Sequence, residues 1–503
     1  MKQINPLFDT LLGCHKNKSA IFLRMGDKRV ITYSAFFVLV AKMANAISKL
    51  GISTGDRLIL QAEKSEYSLA IYAACIQSGI VFLPLNTAYT VNEVSYFVED
   101  SGAKVLICDS LNFKKLAPLE REFRILVRTI DSSGQGTLGD LISKMPAKFS
   151  TVKRQPKDMA AILYTSGTTG RSKGAIHTHE NLLSNAQTLK EYWRFNDKDI
   201  LLHALPIFHT HGLFVASNTI LLAGGSMIFL SKFDIDEVIR HLPNATTMMG
   251  VPTFYIRLLE EKRLTRELTK KMRLFTSGSA PLLAETHVRF FERCGHHILE
   301  RYGMTETNMN TSNPYDGERR PGKVGFPLPG VEIKISNSET GKVVPDGEIG
   351  QIEVRGPNVF KGYWGMVEKT KEELRENGFF LTGDLGLIDP DGYIEIVGRN
   401  KDLIISGGYN IYPKEIELLL DRQEGVLESA VIGIPHPEFG ETVVGFVVSK
   451  KGHEPDLDMV LEKLSESLAS FKKPRKLILL NELPRNTMGK VQKNKLREKF
   501  ANL

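Results

Sequence analysis

The sequence predicts an α/β chain: a large N-terminal domain of parallel-sheet α/β subdomains with a small β-barrel-like subdomain, and a small α+β domain at the C-terminus. Three observations predict it. Strand-like and helix-like segments alternate from about Asp56 onward, the pattern of βαβ units and parallel sheets. After Pro321, strictly alternating runs separated by Gly, Asp and Pro turns take over, as in an antiparallel sheet or barrel. The 503 residues, 42% of them apolar, exceed one ordinary domain.

The elements read in order. Residues 57–60 form a strand, 67–78 a helix, 80–84 a strand ending in proline, 91–100 a helix and 104–108 a strand. The apolar run 160–163 is a strand feeding a small-residue loop, and the same strand-then-small-residue pattern recurs at 246–252 and 274–279. In parallel sheets ligands bind beyond the carboxyl ends of strands, so these loops are where a site is expected. Residues 331–335, 350–356 and 393–397 are the alternating strands of the later sheet. A last block follows: a helix at 414–420, strands at 428–434 and 442–449, and a helix at 457–468. The boundary falls near Arg399-Asn400-Lys401, giving domains 1–398 and 399–503.

Composition narrows the partners. The net charge of +7, from 65 basic and 58 acidic residues, suits an acidic small molecule and argues against nucleic acid. Four cysteines without C-x-x-C spacing suggest neither a disulfide framework nor a zinc site, and a cytoplasmic, reducing setting fits. The N-terminus shows no secretory h-region. The longest apolar run, 69–85, is broken by Gln77, Ser78, Gly79 and Pro84, so no membrane insertion is expected.

The most informative stretch is Tyr164–Lys173, YTSGTTGRSK. Its glycines let backbone approach an anion closely, and its hydroxyls, N–H groups and lysine can converge on phosphate oxygens. It is not a Walker A loop: Ser172 and Gly174 stand where that motif needs its second glycine and its hydroxyl. Further motifs follow in order: Tyr302-Gly303-Met304-Thr305-Glu306-Thr307, Thr382-Gly383-Asp384, Gly398-Arg399-Asn400-Lys401-Asp402 with Ile405-Ser406-Gly407-Gly408-Tyr409-Asn410, and Pro484-Arg485-Asn486-Thr487-Met488-Gly489-Lys490. Together they resemble the acyl-adenylate-forming superfamily of acyl-CoA synthetases, adenylation domains and luciferases. Within it the chain looks most like malonyl-CoA synthetases, in 203–214, 273–282, 306–315 and 484–493.

That resemblance implies two half-reactions. A carboxylate attacks the α-phosphorus of ATP to give an acyl-adenylate and pyrophosphate; the CoA thiol then displaces AMP. Thr165, Ser166, Gly167, Thr168, Thr169, Gly170 and Lys173 would grip the terminal phosphates. Tyr302 would stack on adenine, with Gly278, Ser279 and Ala280 on the other face and Gly303 beside it; core packing is the other reading of Tyr302. Thr305 would touch the α-phosphate and Glu306 would hold Mg²⁺. Asp384 would accept the ribose hydroxyls, backed by Arg399. Lys490, on a mobile C-terminal domain, would neutralise the two anions of the first step. Lys401 would be the hinge that exchanges it for Gly407 and Gly408, past which pantetheine runs.

For the acyl group, His209, Ser277 and Met304 would line the pocket. Arg273 would pair the distal carboxylate of malonate, unless it caps a helix; Arg319 or Arg320 are alternatives. His209-x-His211 has metal-pair spacing without a third ligand nearby, and His177-x-His179 and His296-His297 read as packing or surface histidines. The expected partners are a small carboxylate, ATP and CoA, and the expected assembly is a monomer or homodimer. Methylmalonate is a further acid to expect. The competing readings are a ligase for another short or aromatic carboxylate, a module loading a carrier protein, and a nucleotide-binding regulator.

Overall fold

The structure is a computed structural model and describes residues 4–165, 172–338, 340–406, 409–437, 439–486 and 489–501. They divide into two compact units: Met1–Glu332 with Val354–Phe380, and Ile333–Glu353 with Leu381–Leu503.

The first unit holds two sheets. The six-stranded one runs Leu126–Thr129, Val105–Cys108, Arg57–Gln61, Val81–Pro84, Met159–Thr165, Lys173–Thr178. All neighbours are parallel except the last pair. Every residue of Val81–Pro84 and Val105–Cys108 is buried, as expected of strands covered by helices on both faces. The helix Glu66–Ser78 is buried along almost its whole length, which explains why it reads as one continuous apolar run and not as an amphipathic stripe. Ser65 caps it, and Thr90 with Glu93 forms a capping box for Val91–Ser101.

The nine-stranded sheet runs Phe326–Pro327, Asn308–Ser312, Leu299–Met304, Leu274–Ser277, Thr247–Gly250, Ile200–His203, Ser226–Phe229, Ile21–Met25, Val30–Thr32. Its middle, from Leu299–Met304 to Ile21–Met25, is parallel. The carboxyl ends at Met304, Ser277, Gly250, His203 and Phe229 therefore share one edge. Behind it Tyr255, Phe275 and Phe290 pack edge to face, Phe275 and Phe290 with centroids 5.0 Å apart. Ile21–Met25 lies before the segment whose alternation is readable in sequence, and enters this sheet through parallel pairing with Ser226–Phe229.

In the second unit, a four-stranded sheet orders Glu332–Ser336, Gly350–Arg355, Phe380–Ile388, Ile394–Arg399. A five-stranded sheet orders Tyr409–Ile411, Ile404–Ser406, Gly440–Ser449, Val426–His436, with Lys476–Leu480 paired to the Gly440–Ser449 strand. Alternation splits its core in two. Val431, Val443 and Val447 pack with Ile416, Leu420 and Leu464, whereas Ala430, Ile432, Val444 and Phe446 pack with Leu483 and Leu496. The helices Pro413–Leu420, Leu457–Ser467 and Lys493–Phe500 supply those covers. No helix among the described residues is long and apolar enough to cross a membrane.

Candidate active site

The Gly/Ser/Thr loop connects two antiparallel strands whose last pair is Thr165 and Lys173. Ser166, Gly167, Thr168, Thr169 and Gly170 lie outside the described residues. The flanks are anchored: the Tyr164 hydroxyl donates to Asp100 Oδ2 at 2.6 Å, and the Tyr96 hydroxyl to the Ser172 carbonyl at 2.7 Å. Thr165 Oγ1 is buried without a partner among the described residues. The Lys173 ammonium lies 3.1 Å from both Glu373 Oε1 and the Tyr363 hydroxyl, and 4.1 Å from the Tyr363 ring centroid. That hydroxyl is 2.6 Å from Glu373 Oε2 and 3.1 Å from Glu306 Oε1. Neither Tyr363 nor Glu373 sits in a recognisable motif spacing, so the sequence alone does not single them out.

Glu306 lies in the turn between Leu299–Met304 and Asn308–Ser312 and is 6% exposed. The Asn358 side-chain amide donates to the Thr307 carbonyl at 2.7 Å and braces the turn. Tyr302, Gly303, Met304 and Thr305 are half-buried along its first arm. His177 is buried, and burial holds its imidazole down to about 4. Ser277, Gly278, Ser279 and Ala280 leave the end of the adjacent strand Leu274–Ser277. Ser279 has φ of 70° and its hydroxyl sits 3.3 Å from His211 Nδ1. The predicted adenine-facing groups thus share one strand edge.

The acyl side corrects the sequence reading. Arg273 precedes Leu274–Ser277, at the strand end opposite Gly278. Its guanidinium grips Asp199 bidentately, at 2.8 and 2.7 Å, and bonds the Trp193 carbonyl and the Tyr315 hydroxyl. All its donors serve the fold, so it is no pocket residue. Arg319 is spent on the carbonyls of Pro314, His297 and Tyr315, and Arg320 on Glu318.

The structure presents Arg301 instead. It is 3% exposed, and its Nε and Nη2 have no partner among the described residues. Burial, only partly offset by Tyr255, pushes its guanidinium down to about 9, so it stays charged at neutral pH. It occupies the space a side chain at Gly278 would need: a Cβ there would stand 2.3 Å from Nη1, so any larger residue at 278 must displace the guanidinium. A buried charge is normally paired, and this one points to an anionic ligand. Successive strand residues face opposite ways, which places Arg301 and Tyr302 on opposite faces. An arginine inside the strand Leu299–Met304, otherwise buried at Leu299 and Glu300, was the signal in the sequence.

His209 is half-buried, and its Nδ1 lies 3.4 Å from the His211 backbone N–H. It precedes a fully buried π-helical turn, His211–Ser217, a distortion frequent at functional sites. Burial, then the charge of Arg301, keeps His211 neutral. Among the described residues no three metal-ligating side chains cluster.

In the second unit Asp384 is buried and 2.9 Å from Arg399 Nε, its strand partner across the sheet. Lys401 lies in the turn Asn400–Asp402, its ammonium depressed by burial and by Arg399. Gly407 and Gly408 lie outside the described residues; their neighbours Ser406 and Tyr409 pair. Tyr409 stacks on Phe471 with centroids 4.4 Å apart. The Lys490 N–H donates to Asn486 Oδ1 and its carbonyl accepts from the Asn486 N–H, both at 2.9 Å.

Comparison with known proteins shows the family. The AMP-binding enzyme family model matches residues 10–364, and that of the AMP-binding enzyme C-terminal domain matches 415–490. The malonate–CoA ligase of Arabidopsis thaliana is 34% identical over 487 residues, 90% of this chain and 79% of that protein. The feruloyl-CoA synthase of an Amycolatopsis species is 34% identical over 477 residues, 94% of each. The ATP-bound crystal structure of MatB from Rhodopseudomonas palustris superposes with a TM-score of 0.97 at 52% identity, covering 99% of both chains. The chain belongs to the AMP-binding enzyme family.

Proposed function

We propose that this chain is an ATP-dependent malonate–CoA ligase that proceeds through malonyl-adenylate, releases pyrophosphate and AMP, and takes methylmalonate as a second acid. The observation that carries the choice of acid is Arg301, a buried guanidinium inside the strand Leu299–Met304 whose Nε and Nη2 have no partner among the described residues. Its fork matches a carboxylate bidentately. A dicarboxylic acid can place one carboxylate there and leave the other to react.

In the first half-reaction a malonate oxygen bonds to the α-phosphorus of ATP and the bond to pyrophosphate breaks. Thr165 to Gly170 and Lys173 bind the terminal phosphates, Tyr302 and Gly278 to Ala280 hold adenine, and Asp384 with Arg399 takes the ribose. Thr305 contacts the α-phosphate. Lys490 supplies the ammonium that offsets repulsion between the two reacting anions. Glu306 is a buried hard carboxylate of the kind Mg²⁺ accepts together with substrate phosphates; the ion would supply charge neutralisation at the phosphates. His209 guards the acyl side, with Ser277 and Met304 lining it. In the second half-reaction the thiol sulfur of CoA bonds to the acyl carbonyl carbon and AMP leaves. Gly407 and Gly408 give pantetheine passage, and Lys401 is the hinge opening the C-terminal domain, 399–503. The protein is read as cytoplasmic and as a monomer or homodimer.

The test is pyrophosphate release and thioester formation with malonate, acetate, butyrate, octanoate and coumarate, and with CoA or a carrier protein as acceptor. Malonate with CoA should lead by more than tenfold. A faster monocarboxylate would replace the acid assignment, and a carrier-protein preference would replace the acceptor.

A further inference from the structure

We propose that Tyr363 and Glu373 are positioning residues that set the phosphate-binding lysine and the metal-holding carboxylate as one unit. The proposal rests on the ATP-ligase reading above and extends it to two residues outside the family motifs used there. Three groups meet at one hydroxyl. Tyr363 Oη lies 3.1 Å from the Lys173 ammonium, 2.6 Å from Glu373 Oε2 and 3.1 Å from Glu306 Oε1. Glu373 also reaches Lys173 directly at 3.1 Å. These groups are sheltered: the Lys173 and Glu373 side chains are 12% and 21% exposed. An ion pair of this burial is held more firmly than a surface pair.

The backbone repeats the connection. Phe360 N–H donates to the Glu306 carbonyl at 2.8 Å, and Trp364 N–H to the Gly174 carbonyl at 2.8 Å. Between them Lys361 N–H donates to Ile176, and Ile176 N–H to Gly362, both at 3.0 Å. The segment 360–364 thus fastens the turn that carries Glu306 to the strand that begins at Lys173. Tyr363 is itself fixed: its N–H donates to Thr370 Oγ1 at 2.9 Å and Phe360 packs on its ring.

The chemistry follows from the contacts. The ammonium reaches the Tyr363 hydroxyl and both Glu373 oxygens, the latter at 3.1 and 3.3 Å, so these two residues fix the direction in which it meets a phosphate. The phenol has one proton and two carboxylates within reach, so the orientations of Glu306 and Glu373 are coupled. Removing either support lets the lysine or the Glu306 carboxylate swing, and outer supports of this kind typically change affinity by about 10- to 100-fold.

The experiment uses the full-length protein and three readouts: direct ATP·Mg²⁺ binding by calorimetry, pyrophosphate release with malonate, and thioester formation from preformed malonyl-adenylate and CoA. Glu373→Gln should weaken ATP binding and raise KM for ATP by about tenfold while thioester formation stays within about twofold. Tyr363→Phe, which keeps the ring and its volume, should raise the Mg²⁺ concentration needed for half-maximal adenylation severalfold. Lys173→Met combined with Glu373→Gln should bind ATP no worse than Lys173→Met alone, because one acts through the other. Equal loss in both half-reactions, or a double variant as weak as the product of the singles, overturns the proposal. Weakened ATP binding in Glu373→Gln beside a wild-type protein that releases no pyrophosphate with malonate would keep the positioning role and overturn the ligase reading.

Discussion

Arg301→Leu separates function from stability, because the two should move in opposite directions. The native guanidinium is 3% exposed and lacks partners at Nε and Nη2 among the described residues. Burial holds it at about 9, a depression from the usual arginine range equivalent to about 5 kcal/mol of disfavoured charge. Leucine removes that cost and leaves a modest void, so the thermal midpoint should hold or rise. Truncating one partner of a buried, hydrogen-bonded charge pair costs about 2–5 kcal/mol, so kcat/KM for malonate should fall roughly 30-fold to 5,000-fold. Adenylation of butyrate should stay level or improve, because the pocket becomes apolar. The assay is pyrophosphate release under both acids, with a thermal scan alongside. A variant that still prefers malonate and melts lower would refute the reasoning and make Arg301 a structural residue.

Four further outcomes are expected. Gly278→Ala puts a Cβ 2.4 Å from Arg301 Cζ; malonate turnover should drop at least about tenfold as the guanidinium is displaced, measured by the same release assay, with butyrate adenylation by the same variant as the reference. Arg273→Met breaks the bidentate pair with buried Asp199; it should cost about 3–5 kcal/mol of stability, seen as a lower melting midpoint, and leave the malonate-to-butyrate ratio unchanged. Lys490→Ala should lose about 100-fold or more in adenylation and keep thioester formation from preformed malonyl-adenylate, read in separate half-reaction assays. Acidification should destabilise the fold: burial keeps His177 and His179 neutral down to about 4, against an ordinary value of 6.5. Between those values the unfolded chain binds protons the folded chain refuses, so stability is full above about 6.5 and falls as pH drops, by about 2 kcal/mol per histidine at pH 5. Thermal midpoints at pH 7.5 and 5.0 check the sign, and His179→Gln should flatten the difference.

Much of the fold and the order of the site motifs can be read from the chain alone, because they depend on short-range chemistry. Buried parallel strands need apolar runs, helices need caps such as Ser65 and Thr90, and phosphate loops need glycines and hydroxyls. The strand ends bearing Ser277, Gly278 and Tyr302 follow from that local grammar. Partner choice at long range is a different matter. Arg273 beside a Thr-Ser-Gly-Ser loop and Arg301 beside Tyr302 are equivalent as letters. Only the sheet shows that one stands at the amino end of its strand against Asp199, 74 residues away, while the other is buried under Gly278 with its Nε and Nη2 unpartnered among the described residues. Tyr363 and Glu373 reach Lys173 across 190 and 200 residues, a juxtaposition set by sheet register and by segment 360–364. Charge pairing is decided by which side chains the packed backbone brings within a few ångströms, and that distance is a property of the tertiary structure.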